Sequence, residues 1–270
     1  MTNILPTNHQ RSVDYIRSAG ESIYYEITGS GTPVVLCHGL GGNHAIWWRQ
    51  IETLAAEHTV VTWDQRGFGN STADTGKVDI ASAAGDLLTL LEVLGIEDAH
   101  VVGQSMGAFV ALRAALIDDS RMESLTFSTS LVACDPAHTM SLMSVVGTRP
   151  DRNQHPVLSH SFSSEQIDLG ILYNLISSFG AKPTSAMMLQ SMADTRFTDT
   201  EIQSLSVPVS FIAAEHDHVC PPDVVGEARD RFEGASLRVL PGAGHSAYYE
   251  VPELWNQAVL DIIGVLDERP

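Results

Sequence analysis

The chain has 270 residues, 44% of them hydrophobic, three cysteines and a formal net charge of −18 at pH 7. That length and apolar content suit one α/β domain with a large core. The acidic balance argues against nucleic-acid binding and anionic membrane surfaces.

Taken in chain order, residues 13–16 and 23–27 read as a hairpin about Ala19-Gly20-Glu21. Residues 33–37 read as strand, 45–56 as helix, 59–63 as strand and 80–94 as helix, with Leu87, Leu90, Leu91 and Leu94 on one apolar face. A strand at 99–102, a helix to about 117 and a strand at about 122–128 follow. The alternation resumes at 207–214, continues with a helix near 222–232 and a strand at 236–240, and closes with a helix whose first turn Pro252 suits. Such alternation predicts an α/β fold, a mostly parallel sheet with helices on both faces. It stops over 133–200, so residues 1–132 and 201–270 are expected to form the core around an insertion.

Gly103-Gln104-Ser105-Met106-Gly107 lies between the strand at 99–102 and the helix that follows it. A serine on so sharp a turn needs small residues two positions either side, and the turn lifts its hydroxyl to the sheet's carboxyl edge. Upstream, the strand ending at Cys37 runs into His38-Gly39-Leu40-Gly41-Gly42, whose glycines let backbone N–H groups approach an oxygen closely. Asp64-Gln65-Arg66-Gly67-Phe68-Gly69 suits a tightly hydrogen-bonded loop, a structural role. Asp217 lies three residues past one late strand, and His245 follows the next through Pro241-Gly242-Ala243-Gly244. A serine hydroxyl needs a base, and an imidazole needs a carboxylate to fix its tautomer. Ser105, Asp217 and His245 each follow a predicted strand, so all three belong on one sheet edge.

On these motifs the chain, from about residue 12 to 266, resembles the α/β-hydrolase superfamily. The resemblance implies Ser105 as nucleophile, Asp217 as acid, His245 as base, and the backbone N–H groups of Leu40 and Met106 as the oxyanion hole. It also implies that 133–200 is a mainly helical lid, most of whose apolar residues, such as Phe162, Leu169, Tyr173, Met188 and Met192, hold it together and onto the core, while some unassigned ones shape an apolar pocket. The expected activity is hydrolysis of a small to medium, fairly apolar carboxylic ester or lactone, a small-molecule substrate, through an acyl-enzyme, with no cofactor. A carbon–carbon bond hydrolase of a vinylogous diketone, a cofactor-free perhydrolase and a triad-retaining ligand receptor share this machinery. The first usually carries a proline between the glycines of its oxyanion loop, absent at Gly41-Gly42-Asn43.

Glu215 and Asp223 compete for the acid's role, but one would project away from the strand end and the other suits a helix start. His38 suits a structural hydrogen bond. His216 and His218 bracket Asp217 without ligand spacing, and no metal site is expected. Cys37, Cys134 and Cys220 lack redox or ligand spacing, residues 1–6 lack a signal-peptide pattern, and no apolar run nears 18 residues. A cytoplasmic protein with no membrane partner is the expectation.

Overall fold

A computed structural model of the chain describes residues 11–135 and 157–267. Residues 1–6, read as lacking a signal-peptide pattern, and the middle of the expected insertion, 136–156, fall outside the described residues. Ala19 (φ 44°) and Gly20 (φ 90°) form a two-residue turn matched to the twist of its flanking strands. They join β1 (Ser12–Ser18) to β2 (Glu21–Gly29), antiparallel with Ser18 opposite Glu21. Next come β3 (Pro33–Cys37), β4 (Thr59–Trp63), β5 (Ala99–Gln104), β6 (Met122–Ser128), β7 (Val209–Ala214) and β8 (Ser236–Leu240). The helices are α1 (Trp48–Leu54), α2 (Ile80–Leu94), α3 (Met106–Ile117), α4 (His160–Glu165), α5 (Ile167–Ser178), α6 (Ser185–Asp194), α7 (Asp199–Gln203), α8 (Pro222–Arg229), α9 (Ala247–Glu250) and α10 (Pro252–Asp267). The helix expected over 45–56 is split. The Asn43 side chain accepts the Ala45 N–H, starting a tight 3-10 turn at His44–Trp47 before α1 begins.

The sheet order is β1-β2-β4-β3-β5-β6-β7-β8, with β2 antiparallel to β4 and all pairs from β4 to β8 parallel. Strand side chains alternate between two buried clusters. Val35, Val61, Val101 and Phe211 pack with α2 and α3; Val34, Leu36, Val60, Val102 and Ile212 pack with Trp47, Leu54 and Trp255. Burial on both faces explains why these strands read as continuous apolar runs. From β3 the chain steps outward to β4, then returns past β3 to β5. At such a reversal the loops leaving the two strands part in opposite directions and open a crevice at the carboxyl edge. The loops after β3 and β5 are those carrying Leu40 and Ser105.

Behind that edge, Arg66 reaches Asp86 of α2 through two hydrogen bonds of 2.6 and 2.5 Å, both side chains almost fully buried. Asp86→Ala would leave the guanidinium without its buried counter-charge. It should cost about 3–5 kcal/mol in urea denaturation.

Glu21, at the start of β2, receives hydrogen bonds from the Thr72 hydroxyl and the Asp74 and Thr75 amides. Burial works to raise this carboxyl, but the Thr72, Thr75 and Asp74 donors outweigh it and hold it at about 2. The unfolded chain titrates near about 4.3. The ionised group therefore stabilises the fold above that pH, and its contribution disappears as pH falls toward 2. Glu21→Gln should lessen the loss of stability across that window, read by chemical denaturation at a series of pH values.

Among residues 157–194, Met188 and Met192 join the α2/α3 cluster, while Tyr173 and Ile176 join the other. Ile171, Leu175, Phe179 and Met187 instead face outward. Backbone hydrogen bonds tie Ala181 to Gly69 in both directions, and Asn43 donates to the Ile176 carbonyl. The helical segment is thus fastened to the loops of the carboxyl edge. No helix among the described residues is long and apolar enough to cross a membrane.

Candidate active site

No residue intervenes between β5 and α3 except Ser105, whose backbone takes φ 51° and ψ −115°. A non-glycine residue pays strain there, which the surroundings must hold in place. Two backbone contacts do so: the Ser105 N–H donates to the Ser128 carbonyl (2.9 Å), and the Ser130 hydroxyl donates to the Ser105 carbonyl (2.7 Å). The flanking glycines are there for clearance. A Cβ on Gly103 would lie 2.6 Å from the backbone of Ala108, and one on Gly107 would lie 2.1 Å from the Cys37 carbonyl oxygen. The helix start therefore packs directly on the end of β3.

The loop after β3 passes just as close. A Cβ on Gly39 would sit 2.2 Å from Gln104 Oε1 and 3.2 Å from Ser105 Cβ. The Gly42 N–H donates to the Gly39 carbonyl (3.1 Å), closing a turn that contains Leu40. Met106 opens α3, where first-turn N–H groups have no intrahelical acceptor. Both expected oxyanion donors thus belong to segments that touch Ser105.

Asp217 and His245 come to the same place. The His216 N–H donates to the Ala243 carbonyl (2.8 Å), drawing the loops after β7 and β8 together. One Asp217 oxygen, Oδ1, accepts the Val219 and Cys220 N–H groups at 2.8 Å each, so the carboxylate is oriented by backbone. Its Oδ2 lies 2.9 Å from His245 Nδ1, and His245 Nε2 lies 3.0 Å from Ser105 Oγ. A carboxylate only accepts, so Nδ1 carries the proton and Nε2 is left to accept from the serine hydroxyl. Asp217 and His245 are buried, while Ser105 is partly open. Such a row can move a proton off the hydroxyl and hold the resulting imidazolium.

The rivals lie elsewhere. Glu215 is exposed and accepts the Gly242 N–H, and Asp223 sits in the first turn of α8. Asp64 accepts the Asn70 amide within its own loop and the His44 amide from the turn that follows the loop after β3. The buried His38 accepts the Gln65 N–H at Nε2 and so donates from Nδ1 to the Gly39 carbonyl. Burial pushes its imidazole below the ordinary range, and it fastens the loop after β3 as a neutral group. His216 and His218 are exposed.

Sequence reasoning did not place Cys220 beside the triad. Its sulfur, with Asp217 and His245, makes a set of three possible metal-ligand atoms lying within 4.8 Å of one another. Burial, reinforced by the charge of Asp217, pushes this thiol well above its ordinary range. Tyr173, Ser246 and Tyr248 form a buried hydroxyl cluster next to His245, with Tyr173 Oη 3.0 Å from Ser246 Oγ and 3.4 Å from Tyr248 Oη. A cavity of about 400 Å³ lined by Phe109, Cys134, Met192, Phe197 and Arg231 takes no part in this arrangement, for none of the three site residues lines it.

Comparison with known proteins bears on the family and the fold. A family model for the alpha/beta hydrolase fold matches residues 32–148. A protein of Azorhizobium caulinodans named "Putative carbamate hydrolase RutD" is 39% identical over 265 residues, covering 94% of this chain and 99% of its own. Among solved structures, a thermophilic esterase from Thermogutta terrifontis superposes with a TM-score of 0.78 at 25% identity, covering 95% of this chain and 99% of that one. The enol-lactonase from Burkholderia xenovorans LB400 gives 0.79 at 21% identity, covering 93% and 99%, a likeness of fold alone.

Proposed function

The chain belongs to the α/β-hydrolase superfamily, and from that premise we propose that it is a serine hydrolase of small to medium, fairly apolar carboxylic esters or lactones. The observation that carries this reading is the unbroken row Ser105 Oγ–His245–Asp217, at 3.0 and 2.9 Å. Ser105 attacks the carbonyl carbon as His245 takes its proton, and Asp217 steadies the imidazolium. The carbonyl oxygen, now negative, is met by the Leu40 and Met106 N–H groups, each contributing about 3 kcal/mol. His245 returns its proton to the leaving alcohol. Water then attacks the acyl-enzyme with His245 again as base, and the acid departs. In this reading the insertion over 133–200 acts as the lid, and the protein needs no cofactor.

A second reading keeps every step but takes a carbamate as the acyl donor. The 39% identity to a relative named as a carbamate hydrolase favours it.

Both are tested by treating the protein with a fluorophosphonate, then offering esters, lactones, carbamates and vinylogous diketones under exact-mass detection. A single adduct on Ser105 and multiple turnover of an ester or lactone are expected. Turnover confined to carbamates would select the second reading. A folded protein that takes no adduct would overturn both.

A further inference from the structure

Resting on the proposed role of His245 as base, we infer that Glu250 is a positioning residue that clamps residues 157–159, at the start of α4, onto the loop carrying that histidine. Glu250 ends α9 and is buried. Both of its carboxylate oxygens lie 3.2 Å from the Ser159 N–H, and Oε2 also receives the Gly244 N–H at 3.1 Å. No lysine or arginine pairs with it among the described residues. Burial pushes this carboxyl up, while the Ser159 and Gly244 donors pull it down and the charge of Asp217 pushes it up further. A buried carboxylate held by neutral donors, with no cation to balance it, is costly to keep.

The placement says what it does. Gly244 and Ser246 flank His245, and both are tied to residues 157–159. The Ser246 N–H donates to the Val157 carbonyl at 3.0 Å, while Glu250 joins Gly244 to Ser159. There is no slack, because a Cβ on Gly244 would lie 2.7 Å from the Ser159 nitrogen and 2.9 Å from Glu250 Oε1. The His245 ring must meet Asp217 on one side and Ser105 on the other, and both distances depend on where its backbone is held. Removing the carboxylate leaves two buried amides without an acceptor. They would turn toward water and carry the histidine backbone with them.

The test uses the full chain with Glu250→Ala, Glu250→Asp and Glu250→Gln, and Thr198→Ala as a control that breaks the distant capping box of α7. The rate of fluorophosphonate labelling at Ser105, kcat and KM on an activated ester, and the melting temperature are measured together. Alanine should lower kcat and the labelling rate by about ten- to a hundredfold with KM nearly unchanged, the size expected for a displaced catalytic group. Aspartate keeps the charge but withdraws the carboxylate by one methylene, so it should be slow as well. Glutamine keeps an acceptor in place and should recover most of the rate. Thr198→Ala should melt earlier with kcat unchanged, separating stability from positioning. Should the alanine variant fail to fold, aspartate decides. Wild-type labelling in a folded Glu250→Ala or Glu250→Asp protein would overturn the inference, whereas wild-type protein that never labels would overturn the serine-hydrolase reading instead.

Discussion

Ser105→Ala should lower kcat on an activated ester by about six orders of magnitude while leaving the melting temperature within a few degrees of wild type. In the proposed mechanism every acyl-transfer step passes through that hydroxyl, so without it His245 has only water to activate, at a position not built for water. The fold should tolerate the change, because the backbone contacts that hold residue 105, from its N–H to the Ser128 carbonyl and from the Ser130 hydroxyl to its own carbonyl, involve no Ser105 side-chain atom. The positive φ of 51° remains strained for alanine as for serine. Steady-state rates with intact-mass analysis check this. Wild-type turnover by the alanine variant would remove Ser105 from the mechanism.

Asp217→Asn should cost about 10⁴-fold in kcat. In the native site Oδ1 accepts two backbone N–H groups, leaving Oδ2 to face His245 Nδ1. An asparagine has one oxygen, which the Val219 and Cys220 amides would claim, so its NH₂ would point at Nδ1. The imidazole would then carry its proton on Nε2, toward Ser105, and could not act as base. KM should change little, since the aspartate is buried behind the imidazole. A pH–rate profile and imidazole nitrogen chemical shifts would report the altered tautomer. A loss below about tenfold would mean that another carboxylate orients the ring.

Much of this was legible before any coordinates. β3, β4, β6, β8 and α2 fall where the residue patterns put them, because short β-branched runs and a leucine stripe are set by local periodicity. Ser105, Asp217 and His245 could be grouped because each follows a strand, and parallel strands deliver their following loops to one edge. What sequence could not supply is contact across long separations or direction around a helix. Ser159 and Glu250 are 91 positions apart, and nothing periodic links them. Cys220 reaches the triad through a turn whose shape depends on Asp217 accepting its amide. On α5, apolar residues occur all round the helix, so composition alone could not say that Tyr173 and Ile176 point inward while Ile171 and Leu175 point out.

The reversal of strand order at β3 also bears on how the molecule comes into being. β3 and β5 are neighbours in space, yet β4 and α2 are made between them, and β7 can join β6 only after residues 129–208 have been synthesised. Pairings between distant stretches carry a large loop-closure cost and form late. A nascent or refolding chain should therefore bury Trp63 of β4 and gain helicity well before it becomes reactive. Competence toward a serine-directed probe would be the slowest signal to return.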